Sequence, residues 1–351
     1  MRHILLLILA IIGLTAVNAA NKYDNPDTLF VARDGTAEFR NIADAIEKCR
    51  AFMDYHKVIF VRNGIYKEKI EIPSWLTNIE ICGENRDKTI ITWDDHANIS
   101  ISDPAQGVNT PHMGKPMGTF RTFTLKVSGS LITLRNITIE NNAARLGQAV
   151  ALHVEGDRCV FLNCRLLGHQ DTVYTGRAGA RQFFRDCYIE GTTDFIFGPS
   201  TAWFENCDIV DKSDSYVTAA STPKDIEYGY IFNHCRITCL EGDAALASNN
   251  GKPITKCYLG RPWRAYAYTL FMNCSLGKHI CPEGWHAWEK GSDQTARYIE
   301  YNNVGDGAAK EKRVAWGRQL TKKEAAKITP AAVFGGDTAW IGNHALREVK
   351  E

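Results

Sequence analysis

Apolar and polar residues alternate along most of this chain in short runs, and one six-residue phrase recurs: aromatic, any residue, Asn/Asp/His, Cys, any residue, Leu/Ile. It reads Phe161-Leu-Asn-Cys-Arg-Leu166, Phe184-Arg-Asp-Cys-Tyr-Ile189, Phe204-Glu-Asn-Cys-Asp-Ile209, Phe232-Asn-His-Cys-Arg-Ile237 and Phe271-Met-Asn-Cys-Ser-Leu276. A related copy, Leu134-Arg-Asn-Ile-Thr-Ile139, precedes them, and the start-to-start spacings are 27, 23, 20, 28 and 39 residues. A short unit with variable insertions marks a solenoid with loops on one side. The units are rich in Val, Ile, Thr and Phe with period-two alternation, which predicts strands. Units of this length suit a parallel β-helix better than a propeller, whose blades need about 40 residues or more. The expected fold is therefore all-β, a single-stranded right-handed parallel β-helix.

Helical periodicity appears only towards the two ends. Phe39, Ile42, Ile46, Cys49 and Phe52 form an apolar stripe suited to closing one open end of the solenoid. Near the other end, Thr321-Lys-Lys-Glu324 has the form of a capping box and opens a short helix. Such caps would protect the exposed sheet edges. The chain divides into an expected signal peptide, 1–19, and one domain, 20–351. The leader has Arg2, a 14-residue apolar run from Ile4 to Val17, and small residues after it. That run is short of the roughly 20 residues a membrane span requires. A secreted protein, periplasmic or extracellular and free of the membrane after cleavage, is the expectation.

Charge narrows the partners. The chain carries 41 Lys and Arg against 40 Asp and Glu, and the leader contains only Arg2 among them. A balanced chain without a basic run argues against nucleic acid and against simple capture of a polyanion. A monomer without a cofactor is expected. Eleven cysteines in an exported chain raise the question of disulfides. However, Cys164, Cys187, Cys207, Cys235 and Cys274 share one place in the phrase, which predicts stacked interior thiols. One bridge, Cys235–Cys239 or Cys257–Cys281, stays open. No CxxC pair has zinc-site spacing, so no metal is predicted.

Candidate chemistry follows from the repeat. Asp171 in Gly168-His-Gln-Asp-Thr-Val-Tyr174 and Asp194 in Gly191-Thr-Thr-Asp-Phe-Ile-Phe-Gly198 lie 23 residues apart, each seven residues after a phrase cysteine. Equivalent residues of adjacent turns sit about one strand spacing apart, ~4.8 Å. Two carboxylates so close separate in pKa, one staying protonated as an acid while the other ionises. The spacing alone also fits a solvated acid ladder or a calcium site. Asp214 lies seven residues after Cys207, but the following interval is longer, and it is expected on the surface.

The two aspartate segments resemble the active-site signatures of the pectin methylesterase (pectinesterase) family. Further resemblances follow in order: Gly64-Ile-Tyr-Lys-Glu68, Gln148-Ala-Val-Ala-Leu152, Tyr258-Leu-Gly-Arg-Pro-Trp263, Pro282-Glu-Gly-Trp285 and Arg313-Val-Ala-Trp316. They run from about Phe30 to Trp340. The resemblance implies hydrolysis of methyl esters of galacturonate in pectin. It implies Asp194 as nucleophile, Asp171 as general acid and then base, Gln170 and Gln148 as oxyanion donors, and Arg261 as the partner that keeps the nucleophile ionised. Trp263 matches a platform under a sugar ring, and Thr119 matches a substrate-contact position.

Of the other aromatic residues, Tyr174 and Phe197 are candidates for the sugar face. Trp285 and Trp288 are expected to be structural, as are Tyr66 and Glu68, and His169 is expected to be a wall residue. The long segment between Tyr216 and Tyr258 is expected to shape the cleft. Rival readings are a β-helical lyase, a hydrolase of the glycosidic bond, and an inactive binding module. The last would be expected to lack one of Asp171, Asp194, Gln170 or Arg261, and all four are present.

Overall fold

A computed structural model describes residues 28–102 and 114–342. The expected signal peptide, 1–19, lies outside the described residues. No described helix is long and apolar enough to cross a membrane.

Short strands wind into three parallel sheets of eleven, seven and eight strands. In every strand pairing the partner belongs to a neighbouring turn, as in Phe161↔Phe184 and Phe184↔Phe204. The chain is therefore a parallel β-helix, as the repeat predicts. The phrase maps onto one corner. Its aromatic residue is the last but one of a strand of the eleven-stranded sheet, and its Leu/Ile lies in the next strand, of the eight-stranded sheet. The five phenylalanines stack through the core, with successive centroids 4.4, 4.6, 4.5 and 4.3 Å apart and planes within 14°. Offset-stacked rings at this separation add to the burial of their area.

The polar position of the phrase has a backbone cause. Asn136, Asn163, Asp186, Asn206, His234 and Asn273 all have φ between 50° and 55°. Asn and Asp are the non-glycine residues that tolerate this left-handed conformation best. Their side chains also link turns: Asn163 Nδ2 donates to Asn136 Oδ1 (2.9 Å) and Asn273 Nδ2 to Asn233 Oδ1 (3.0 Å). The cysteine that follows points inward and donates its thiol to a carbonyl of the preceding turn, as Cys187 does to Phe161 (3.4 Å) and Cys274 to Phe232 (3.4 Å). All eleven cysteines are free thiols, so neither candidate bridge forms.

The ends differ from expectation. The predicted N-terminal stripe contracts to one helix, Ile42–Glu47, whose Ile42, Ala45 and Ile46 close the core. Phe39 instead forms a parallel bridge with Val31, and Phe52 leaves the helix at φ 55° and is exposed. Asn41 does not cap this helix with its side chain. Glu68 does so, accepting the Ile42 and Ala43 N–H groups (3.1 and 3.0 Å), while Tyr66 is fully buried, so both are structural as expected. The capping box at Thr321 and Glu324 forms, opening the helix Lys322–Ala325. The following helix, Pro330–Val333, does not close the end. Val333, Phe334 and Ile341 instead pack along the outer face of the eleven-stranded sheet, on Val160, Phe183, Trp203 and Ile231. That outer face is apolar, so it requires cover. A fourth helix, Gly242–Ser248, sits in mid-chain where none is predicted.

The phenylalanine ladder should carry much of the stability. Phe204 is fully buried between Phe184 and Phe232. Phe204→Ala is expected to destabilise the protein by about 3–5 kcal/mol, measured by denaturant unfolding.

Candidate active site

The seven-stranded sheet carries the site on its outer face. Along four successive turns, His153, Tyr174, Phe197 and Ala219 stand in register, pointing away from the core. Asp171 and Asp194 each lie two residues before a strand of this sheet, Val173–Thr175 and Ile196–Gly198. Those strands pair as Val173↔Ile196, which places the two aspartates opposite one another, and the Asp171 N–H donates to Thr193 O (3.1 Å). Both aspartates have positive φ, 67° and 50°, which turns their side chains out of the strand path. The turn before each one needs glycine. A Cβ on Gly191 would collide with Phe195 and His169 O, so the chain can pass only without a side chain there.

The next turn breaks the pattern. Ile196 pairs with Thr218, and the Asp194 N–H donates to Tyr216 O (2.8 Å). The residue stacked on Asp194 is therefore Tyr216. Asp214 lies off the ladder, where its carboxylate accepts the Thr255 and Lys256 N–H groups (2.7 and 2.8 Å).

Arg261 completes the pair. It follows the strand Tyr258–Gly260, and its N–H donates to Thr218 O (3.0 Å). Gly260 lets that strand approach Thr218, where any Cβ would collide with the Thr218 hydroxyl. The guanidinium grips Asp194 with both edges: Nε to Oδ1 at 3.0 Å and Nη2 to Oδ2 at 2.6 Å. It is held between two rings, 4.1 Å from the Tyr216 centroid and 3.9 Å from that of Trp288. Such contacts strengthen as water is excluded.

Burial and charge make the carboxylates unequal. Burial pushes the Asp171 carboxyl well above the usual range, the Asp194 charge pushes it further, and Arg261 only partly opposes both. Burial also raises Asp194, but there the Arg261 hydrogen bonds and charge pull it back. Asp194 is thus the member that loses its proton first.

A cleft of about 310 Å³ opens over the pair, lined by Thr119, Gln148, Gln170, Phe197 and Trp263 beside Asp171, Asp194 and Arg261. All the candidate catalytic residues therefore meet in one place, as do five of the six candidate substrate contacts: Thr119, Gln148, Phe197, Arg261 and Trp263, but not Tyr174. Tyr174 does not line the cleft. It stands one step back, 4.8 Å from the Phe120 ring and 4.8 Å from the Phe197 ring, and buttresses both. Trp285 is buried in the core as expected, but Trp288, expected to be structural, lines the cleft at 37% exposure. Phe120 and Ala219 also line it and were not anticipated. Phe120 shares a short 3-10 helix with Thr119, and Ala219 is the register neighbour of Phe197; either relation could have pointed to them. Trp288 comes from a loop with no repeat signal. His169 keeps to the turn outside the cleft, its imidazole lowered to about 4 by burial and then by the Lys212 and Arg145 charges. The segment between Tyr216 and Tyr258 supplies Ala219 to the lining, but its long insertion after Ala220 supplies nothing.

The Pectinesterase family model matches residues 28–337. A pectinesterase of Petunia integrifolia is 36% identical over 324 residues, covering 89% of this chain and 80% of the relative. The chain spans about half the length of several Arabidopsis thaliana relatives, such as 47% of probable pectinesterase/pectinesterase inhibitor 21, to which it is 33% identical over 94% of its own length. Among solved structures, the pectin methylesterase from carrot superposes with a TM-score of 0.75 at 31% identity, covering 88% of this chain and 93% of that one. A mutant pectin methylesterase in complex with a hexasaccharide does so with 0.73 at 30% identity, over 88% and 97%. The chain belongs to the pectinesterase family.

Proposed function

We propose that this protein hydrolyses methyl esters of galacturonate units in pectin, with Asp194 as nucleophile and Asp171 as general acid and base. The observation that carries the reading is the unequal pair: Asp194 oriented by a bidentate arginine, and Asp171 opposite it with its carboxyl pushed well above the usual range. A carboxylate is a weak nucleophile, so fixed orientation and an adjacent cation matter more than basicity.

In the first half-reaction an Asp194 oxygen attacks the C6 ester carbonyl. The tetrahedral oxyanion is stabilised by the amide N–H groups of Gln148 and Gln170. As the C–O bond to the methoxy group breaks, protonated Asp171 gives its proton to that oxygen and methanol departs. An acyl-enzyme anhydride on Asp194 remains. Asp171, now a carboxylate, takes a proton from water, and the resulting hydroxide attacks the same carbonyl. The anhydride opens to release the galacturonic acid, which gives its proton to solvent, leaving Asp194 ionised and Asp171 protonated as at the start. Trp263 and Phe197 supply apolar surface for pyranose faces, and Thr119 lies at the rim. Residues 1–19 would direct the protein out of the cytoplasm before it meets pectin, and the reading requires neither nucleic acid nor a membrane as partner.

Methylated pectin should yield methanol while polymer length, followed in the same tube, stays constant. Shortening of the polymer would favour a lyase or a hydrolase of the sugar bond, and absence of both products would favour a binding module. Asp194→Ala should lower methanol release by on the order of 10⁴-fold with unchanged circular dichroism, as expected on removing a nucleophile. Activity close to that of the unaltered protein would sink the mechanism.

The pH dependence has a definite sign. Asp194 must be ionised, so kcat/KM should fall as pH drops through its raised pKa. Asp171 must be protonated, so kcat/KM should fall again as pH rises through its still higher one, giving a bell. Asp171 also binds its proton more tightly folded than unfolded. Its ionisation therefore removes stability as pH rises above the unfolded value of about 3.9. Asp171→Asn should accordingly be inactive yet more stable at pH 7, by at least about 1 kcal/mol, with the gain fading towards pH 3 in thermal melts. Trp288→Ala should free one face of Arg261 and lower kcat/KM about tenfold, the scale of a desolvated cation–π contact of about 1–2 kcal/mol.

A further inference from the structure

A second cluster of chemically versatile side chains lies inside the solenoid, away from the cleft. Asp211 ends the strand Asp208–Asp211, Cys257 precedes the strand Tyr258–Gly260, and His279 sits in the turn after Ser275–Leu276. Their exposures are 0%, 0% and 2%, and one donor atom from each lies within 4.8 Å of the other two. His279 Nε2 is 3.0 Å from Asp211 Oδ2. Asp211 Oδ1, fully buried, has no hydrogen-bond partner. Buried carboxylate oxygens are seldom left so, because the lost hydration is not replaced.

The scaffold aims these groups at one point. The Cys257 N–H donates to His279 O (2.8 Å), locking the two segments together. Gly277 makes room for the imidazole, since a Cβ there would press on its ring at 2.7 Å. A further thiol stands nearby: Cys239, partly buried, is the register partner of Asp211 in the next turn, although it lies outside the 4.8 Å cluster of the other three. Acid, imidazole and thiol together superficially resemble a hydrolytic triad, but side chains this buried offer a substrate no approach.

We propose that Asp211, Cys257 and His279, with Cys239 as the fourth donor, form a structural Zn²⁺ site. One carboxylate, one imidazole and two thiolates match the ligand types and the closed four-coordinate geometry of structural zinc. Bonds of about 2.0–2.3 Å in a tetrahedron place donors about 3.4–3.8 Å apart, so the three clustered donors need only a modest contraction, and Cys239 would turn inward to complete the set. The metal would occupy the unpartnered face of Asp211 and tie together three turns of the solenoid. It would also anchor the segment that runs four residues on to Arg261. Sequence spacing hid this site because its donors come from four separated segments rather than a CxxC pair.

The test is metal content. Protein produced in zinc-supplemented medium and dialysed against metal-free buffer should retain about one zinc per chain. Cys257→Ser and Cys239→Ser should each reduce that at least tenfold, whereas Cys49→Ser, at the far end of the solenoid, should not. Unaltered protein produced with cobalt in place of zinc should show thiolate-to-cobalt charge-transfer absorption, a readout that requires no variant to fold. Less than a tenth of a zinc per chain in the unaltered protein would overturn the proposal. So would a cobalt spectrum without the thiolate band, or a Cys239–Cys257 disulfide in peptide maps.

Discussion

In-register hydrogen bonding between successive turns is the constraint on which the whole molecule depends. Each strand pairs with its counterpart one turn away, so any departure in one turn must be accommodated by the next. This is why the turn residues recur as Asn, Asp or His at positive φ, and why one phenylalanine per turn lies on the last. The same constraint builds the candidate active site. Two aspartates at matched offsets are delivered to one face of the seven-stranded sheet at the spacing of adjacent turns, without a dedicated loop.

What distinguishes those aspartates is supplied from outside their own turns. Left to burial alone, both carboxyls would rise and neither would serve as a nucleophile. Arg261 arrives from two turns further on and contacts Asp194 directly, while Asp171 feels it only through charge. The guanidinium is in turn fixed by Tyr216 and Trp288. Asymmetry between two repeat carboxyls thus comes from a residue placed outside the repeat.

The repetitive part of the fold was legible in the sequence, because stacking imposes residue identity at each turn: the Phe, Asn and Cys of the phrase, and the glycine before each aspartate. The paired strands, the interior thiols and the site aspartates all follow from that. Where the repeat stops, so does the legibility. The short N-terminal helix was overread because Phe39 and Phe52 fit a helical stripe, yet one is taken by a strand bridge and the other by a left-handed turn. The C-terminal helices were expected at the end of the solenoid, whereas the apolar outer row of Phe183, Trp203 and Ile231 draws them along its flank. The place of Trp288 over Arg261 is not legible in the sequence, because it depends on a loop that no periodicity encodes.

Two adjacent carboxyl groups hold different protonation states because only one of them touches Arg261. Carbon-13 NMR of aspartate-labelled protein, with Asp171 and Asp194 assigned by substitution, measures this directly as a function of pH. Asp194 should lose its proton first, and Asp171 should keep its own well above the ordinary carboxylate range. Titration of both groups together near pH 4, or ionisation of Asp171 before Asp194, would contradict it.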